Sequence, residues 1–106
     1  NYIGDILEKN IRYEFKPSDD IATQDFQKIR KLYTAGDHKN FLKAQKIFLK
    51  KNPKSKYEEM VYHMEAETYL ALYKQENEKT FFDKSLKIYD SLLAKYPQSP
   101  VAERTL

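Results

Sequence analysis

Glu59, His63, Glu67 and Lys74 follow one another in steps of four, four and seven residues. On a helix turning about 100° per residue, those steps put all four on one face. A histidine one turn from a carboxylate can form an i to i+4 pair in solvent. A carboxylate–His–carboxylate face can also hold a metal ion, although one histidine and no cysteine make a poor cage. The third use is recognition: a charged stripe with Leu70 beside it can receive the side chains of a partner. Solvated stripe and recognition surface are the two readings that compete here.

Catalysis finds little support in the same residues. His38 and His63 are the only histidines, and neither has a nucleophile at a diagnostic spacing. There is no Gly-rich phosphate loop and no paired-His metal motif. The acid pairs Asp19–Asp20 and Glu58–Glu59 stand where helices begin, and the macrodipole accounts for them there. The chain is expected to be non-catalytic, with no cofactor and no metal.

A second candidate surface is the stretch KNFLKAQKIFLKKNPKSK, within residues 39–56, which holds seven lysines and two phenylalanines. At helical spacing Phe41 and Phe48 turn inward, and Lys43, Lys46 and Lys50 form an outer face. That face is either solvated or touches an anionic surface. Nucleic acid is not expected, since charges of both signs are mixed and the net charge is only +3. The nine tyrosines sit mostly at core spacing and read as packing rather than as a stacking platform.

The elements that must position these residues are helices. Two glycines, four prolines and abundant Lys, Glu, Leu and Ala suit helices better than short strands. The longest uncharged apolar stretch, TYLALY, is too short to span a bilayer, so no direct membrane insertion is expected. Residues 1–17 mix helical and alternating patterns and are read as an N-terminal extension. Ser18, followed by Asp19 and Asp20, starts a first helix over about 19–35, with Ala22, Phe26, Ile29 and Tyr33 on its apolar side. A second covers about 40–51, with Phe41, Ala44, Ile47 and Phe48 inward and Pro53 ending it. Ser55 and Glu58 form a capping-box pattern that opens a third helix over about 56–75. A fourth runs over about 79–95, its apolar side including Phe81, Phe82, Leu86, Ile88, Tyr89, Leu92, Leu93 and Tyr96. Ser99 and Pro100 start a fifth.

The third helix carries two apolar stripes, one of Tyr62, Ala66, Tyr69 and Tyr73, the other of Tyr57, Met60, Val61, Met64, Ala71 and Leu72. A helix apolar on two sides is packed on both, whereas its one-sided neighbours suit an outer layer. The outer segments repeat. Phe41, Ala44, Ile47 and Phe48 align with Phe82, Ser85, Ile88 and Tyr89 at an offset of 41 residues, while Pro53 and Pro97 are 44 apart. That difference predicts one extra helical turn before Pro97. Ala44 is expected at the closest approach of paired helices.

An aromatic, a small residue three on, an aromatic four further and then Pro occur as Phe41, Ala44, Phe48, Pro53 and as Phe82, Ser85, Tyr89, Pro97. With Ala66 and Tyr69 in the preceding helix, residues 20–106 resemble tetratricopeptide repeats. LLAKYPQSPVAERTL is similar to repeats of bacterial envelope proteins of the outer-membrane assembly lipoprotein and Tol-Pal coordinator type. The resemblance implies an all-α right-handed stack of antiparallel helix pairs, about five helices, forming one repeat domain over 18–106 within a longer protein. It also implies a scaffold that binds a peptide or partner protein in the groove of its inner helices. There Glu59, His63, Glu67, Leu70 and Lys74 would make the contact. The alternative is an anionic surface held by the lysine-rich face. The resemblance favours the periplasm or cell envelope; oligomeric state is left open.

Overall fold

The computed structural model describes residues 21–98. The extension over 1–17, the Ser18–Asp20 start and the fifth helix expected from Ser99 all lie outside the described residues. Within them the chain is all-helical: α1 (Ile21–Thr34), α2 (His38–Lys51), α3 (Glu58–Glu76) and α4 (Lys79–Lys95).

The helix boundaries follow from local chemistry. Gly36 takes φ +75, a conformation that costs a glycine little, and turns the chain out of α1. Asp37 caps α2, its carboxylate accepting from the Asn40 backbone N–H at 3.4 Å and from the Asn40 side-chain amide at 2.8 Å. This cap starts α2 two residues earlier than expected. At α3 the predicted capping box is displaced. The Ser55 hydroxyl accepts from the Tyr57 backbone N–H at 3.2 Å, and the Glu58 carboxylate reaches back to the Lys54 N–H at 3.0 Å. Asn77 closes α3 in the left-handed conformation, its N–H bonded to the Tyr73 carbonyl at 2.7 Å.

The two faces of α3 go to two cores. Met60, Val61 and Met64, with Tyr57 just before them, pack on Phe26 and Ile29 of α1 and on Phe41 and Phe48 of α2. The rings of Phe26 and Tyr57 stack at 4.4 Å, and the Tyr57 hydroxyl is 2.7 Å from that of buried Thr23. On the other side Ala66 packs with Tyr89 and Leu92 of α4, with Tyr62, Leu70, Ile88 and Tyr96 partly buried around them. Towards the α3–α4 turn, Tyr69 pairs with Phe81 and Tyr73 with Phe82. Each core removes apolar surface from water, the main favourable term in such a fold.

Two inward assignments are corrected. Ile47 is 66% exposed and Leu86 46%. The reason is register. The buried residues of α2 are Phe41, Gln45 and Phe48, and those of α4 are Ser85, Tyr89 and Leu92, each 44 positions later. The offset of 44 therefore holds from Ser85 onward, and the extra turn lies at the start of α4 rather than before Pro97. Ala44 is half-buried, while Ser85 is wholly buried against α3.

Candidate functional site

The predicted stripe on α3 divides. His63 is only 6% exposed, because α4 lies against it and the Tyr89 ring sits 5.9 Å away. Glu67 remains half-open, its side chain 42% exposed. Its Oε1 accepts from the Tyr89 hydroxyl at 3.0 Å and lies 3.5 Å from His63 Nε2. Glu59 and Leu70 are half-buried, Leu70 as part of the α3–α4 core, and Lys74 is exposed. His63, Glu67 and Tyr89 thus form one cluster, from which Lys74 stands apart.

Glu67 opens onto a crevice of about 330 Å³ at the corner where α1 passes into α2. Tyr33 and Thr34 from the end of α1 and His38 from the start of α2 line one side; Glu67, Thr68 and Ala71 line the other. The Thr68 hydroxyl is turned away, donating to the Met64 carbonyl at 2.8 Å. Tyr33 is held above the usual phenol range by burial and then by the negative charge of Glu67. The crevice therefore presents a carboxylate fixed at one oxygen, beside aromatic and hydroxyl groups, with small Ala71 leaving room. Such a site can accept a hydrogen bond or an ion pair from a basic side chain or a peptide N–H. Among the described residues no three or more His, Asp or Glu side chains converge to hold a metal ion, and no helix is long and apolar enough to cross a membrane.

Sequence reasoning missed two organised polar clusters among the described residues. At the end of α4, Lys95 and the Tyr96 hydroxyl both donate to Glu58 Oε1, the latter at 2.7 Å. At the end of α2, Lys51 lies 3.1 Å from Asp25 Oδ2, and the Asn52 amide donates to the same oxygen at 3.3 Å. The parts correspond. An acid in α1 or at the start of α3 is grasped by the last residue of the following helix and by the residue that caps it. Burial pushes the Glu58 carboxyl up. The bonds from Lys95, Tyr96 and the Lys54 amide outweigh it and hold the group below the usual range. Asp25 is likewise lowered, the pull of Lys51 and Asn52 exceeding the effect of burial. The visible trace is KNPKS at 51–55 and KYPQS at 95–99, a shared Lys-x-Pro-x-Ser.

Gln45 makes a further inter-helix polar contact. It is 1% exposed and donates from Nε2 to Glu65 Oε2 at 3.0 Å. Burial raises the Glu65 carboxyl above its ordinary value despite Gln45 and Lys46.

Lys43, Lys46 and Lys50 are all exposed along α2. No family model, curated protein or solved structure matches the chain.

Proposed function

We propose that this chain is a non-catalytic interaction module of tetratricopeptide-like helix pairs, binding a peptide or partner protein through its inner helices. The observation that carries the reading is Glu67. Its carboxylate is immobilised through Tyr89 and His63, yet half-open at a crevice shared by α1, α2 and α3. A group held still before binding loses little freedom on binding, and this favours recognition over a merely solvated charge. The ligand chemistry that fits is a Lys or Arg side chain on an extended segment. The repeated clasp supports the repeat architecture, since it joins α1 to α2 and α3 to α4 by the same three parts.

The alternative, an anionic surface held by Lys43, Lys46 and Lys50, draws on the exposure of all three. To separate the two, peptides selected from a displayed random library on the full chain are measured against Glu67→Gln and against the triple Lys43→Glu, Lys46→Glu, Lys50→Glu. Glutamine keeps an acceptor for Tyr89 and removes only the charge. Loss with Glu67→Gln alone, together with amide shifts at Tyr33, Thr34 and Ala71, supports the crevice. Loss with the triple alone, and a steep salt dependence, transfers the function to the lysine face.

A further inference from the structure

His63 lies behind the Glu67 crevice rather than in it. The walls are Tyr33, Thr34, His38, Glu67, Thr68 and Ala71, so from the crevice His63 is met only through the Glu67 carboxylate. The imidazole is 6% exposed, and its Nε2 is 3.5 Å from Glu67 Oε1, the oxygen that also accepts from the Tyr89 hydroxyl at 3.0 Å. Histidine is the side chain whose charge ordinarily changes between about pH 5 and 8. A neutral imidazole leaves Glu67 its whole negative charge, whereas a protonated one makes an ion pair with it.

The groups around this pair come from all four helices. On α3, half-buried Glu59 stands one turn before His63. From α4 comes Tyr89, followed in the chain by Asp90, which is exposed. From α1 comes Tyr33, whose phenol is raised by burial and by the charge of Glu67 and so stays uncharged in the histidine range. From α2 comes His38, the second titratable side chain that can turn positive there, and unlike His63 it meets the crevice directly. The fold itself withstands the same acidity. Glu58 and Asp25 are both held below the usual carboxylate range, so the two inter-helix clasps keep their charge.

We propose that His63 makes the crevice a proton-released site: Glu67 holds a basic side chain of the partner while the imidazole is neutral, and protonation of His63 cancels that charge and frees the ligand. The inference rests on the reading of the Glu67 crevice as the binding site for a Lys or Arg side chain. His63 acts from the far side of the carboxylate, by charge and without touching the ligand. Proton and ligand therefore compete for one carboxylate, and by linkage a bound cation makes His63 harder to protonate by the same factor that the proton weakens binding.

The probe is acetyl-Ala-Arg-Ala-amide, whose guanidinium stays charged and which carries no group that titrates in the histidine range. Its affinity for the full chain is read from the amide shifts of Tyr33, Thr34 and Ala71 at about pH 7.5 and about pH 5.5, at fixed ionic strength. The expected result is binding about tenfold weaker at the acid end, the size of effect that one added charge a few Å away has at a half-open site. The ratio of the two affinities is what decides. It should fall to near unity in His63→Gln, whose amide can donate to Glu67 but does not titrate, and be largely kept in His38→Gln. In the native chain the His63 Cε1–H resonance should titrate at lower pH with the peptide bound than without it. Equal affinity at both pH values, a ratio that survives His63→Gln, or one lost with His38→Gln instead overturns the proposal and leaves the crevice as the binding site. A peptide that moves none of those amides, or that binds Glu67→Gln as well as the native chain, overturns the crevice reading and this proposal with it. Should His63→Gln fail to fold, the resonance decides alone, and a His63 titration that the peptide leaves in place overturns the proposal.

Discussion

Glu58→Gln tests whether the clasp holds the second helix pair together. Glu58 is 5% exposed and accepts from the Lys95 ammonium, the Tyr96 hydroxyl at 2.7 Å and the Lys54 N–H at 3.0 Å. Glutamine keeps the volume but offers one acceptor oxygen and turns an amide towards donors, so at least one donor loses its partner. A buried donor left unsatisfied costs about 1–3 kcal/mol. Tyr96 is half-buried and Lys95 reaches solvent, so both can rehydrate in part, and the expected loss is about 2 kcal/mol. For a domain of this size that lowers Tm by about 8–16 °C. The twin variant Asp25→Asn should cost less, about 1 kcal/mol, because Asp25 has two partners and a side chain 19% exposed. The assay is thermal unfolding by circular dichroism across pH. Because the folded-state value of Glu58 is depressed, its contribution is full above the ordinary glutamate range and is lost as pH falls through the folded value. The gap between native protein and Glu58→Gln must therefore shrink in acid, since glutamine does not titrate. An unchanged Tm at neutral pH, or a gap that stays constant into acid, refutes the clasp as a stabilising device.

Ser85 is fully buried with its Oγ unbonded, so Ser85→Ala should match or exceed native stability, whereas Ser85→Leu should overpack the α3–α4 crossing by about 1–3 kcal/mol; denaturant midpoints distinguish them. Ala44 is half-buried and lines an open crevice with room for a larger side chain, so Ala44→Leu should be tolerated, contrary to the expectation from the repeat alignment. Burial raises the Glu65 carboxyl, so its ionised form destabilises the fold above that raised value and the cost is relieved as pH falls. Glu65→Gln should therefore melt no lower than native at pH 7, with any advantage fading in mild acid. Asn77 sits at φ 56, so Asn77→Gly should be nearly neutral and Asn77→Val should lose about 1–2 kcal/mol.

The helices were legible because their stops are chemical and local. Pro53 ends a helix by backbone chemistry that a sequence displays directly, and the two-sided apolar pattern of α3 required partners on both sides. Which residues of α2 and α4 turn inward was less legible. Aligning Phe41 with Phe82 by residue type paired Ile47 with Ile88 and counted it inside; the buried sets align at 44, which pairs Phe41 with Ser85 and Phe82 with His38, the first residue of α2. An extra turn can be inserted anywhere along a helix without changing its composition, so residue likeness alone does not locate it. The buried positions do, and they include Gln45, whose polarity hid it.

The candidate site was half-legible for a related reason. Helical spacing correctly put His63 and Glu67 side by side, but spacing within one helix carries no information about what lies over it. Tyr89 covers His63 and leaves Glu67 open, turning a stripe into a single fixed carboxylate. Glu58 was harder still. An acid in the first turn of a helix is stabilised by the dipole whether it faces water or the core, so its position explains it equally well in both cases. What separates the cases is a donor arriving from the far end of the next helix, at Lys95 and Tyr96. Lys-x-Pro-x-Ser carries that information only as a pair, because the proline fixes where the outer helix ends and so where its last lysine can reach. Asp25 and Lys51 repeat the relation with different residues around it. In both places the residue that caps the helix donates to the same carboxylate oxygen as the lysine before it, so two neighbouring positions at a helix end converge on one acid from the preceding helix.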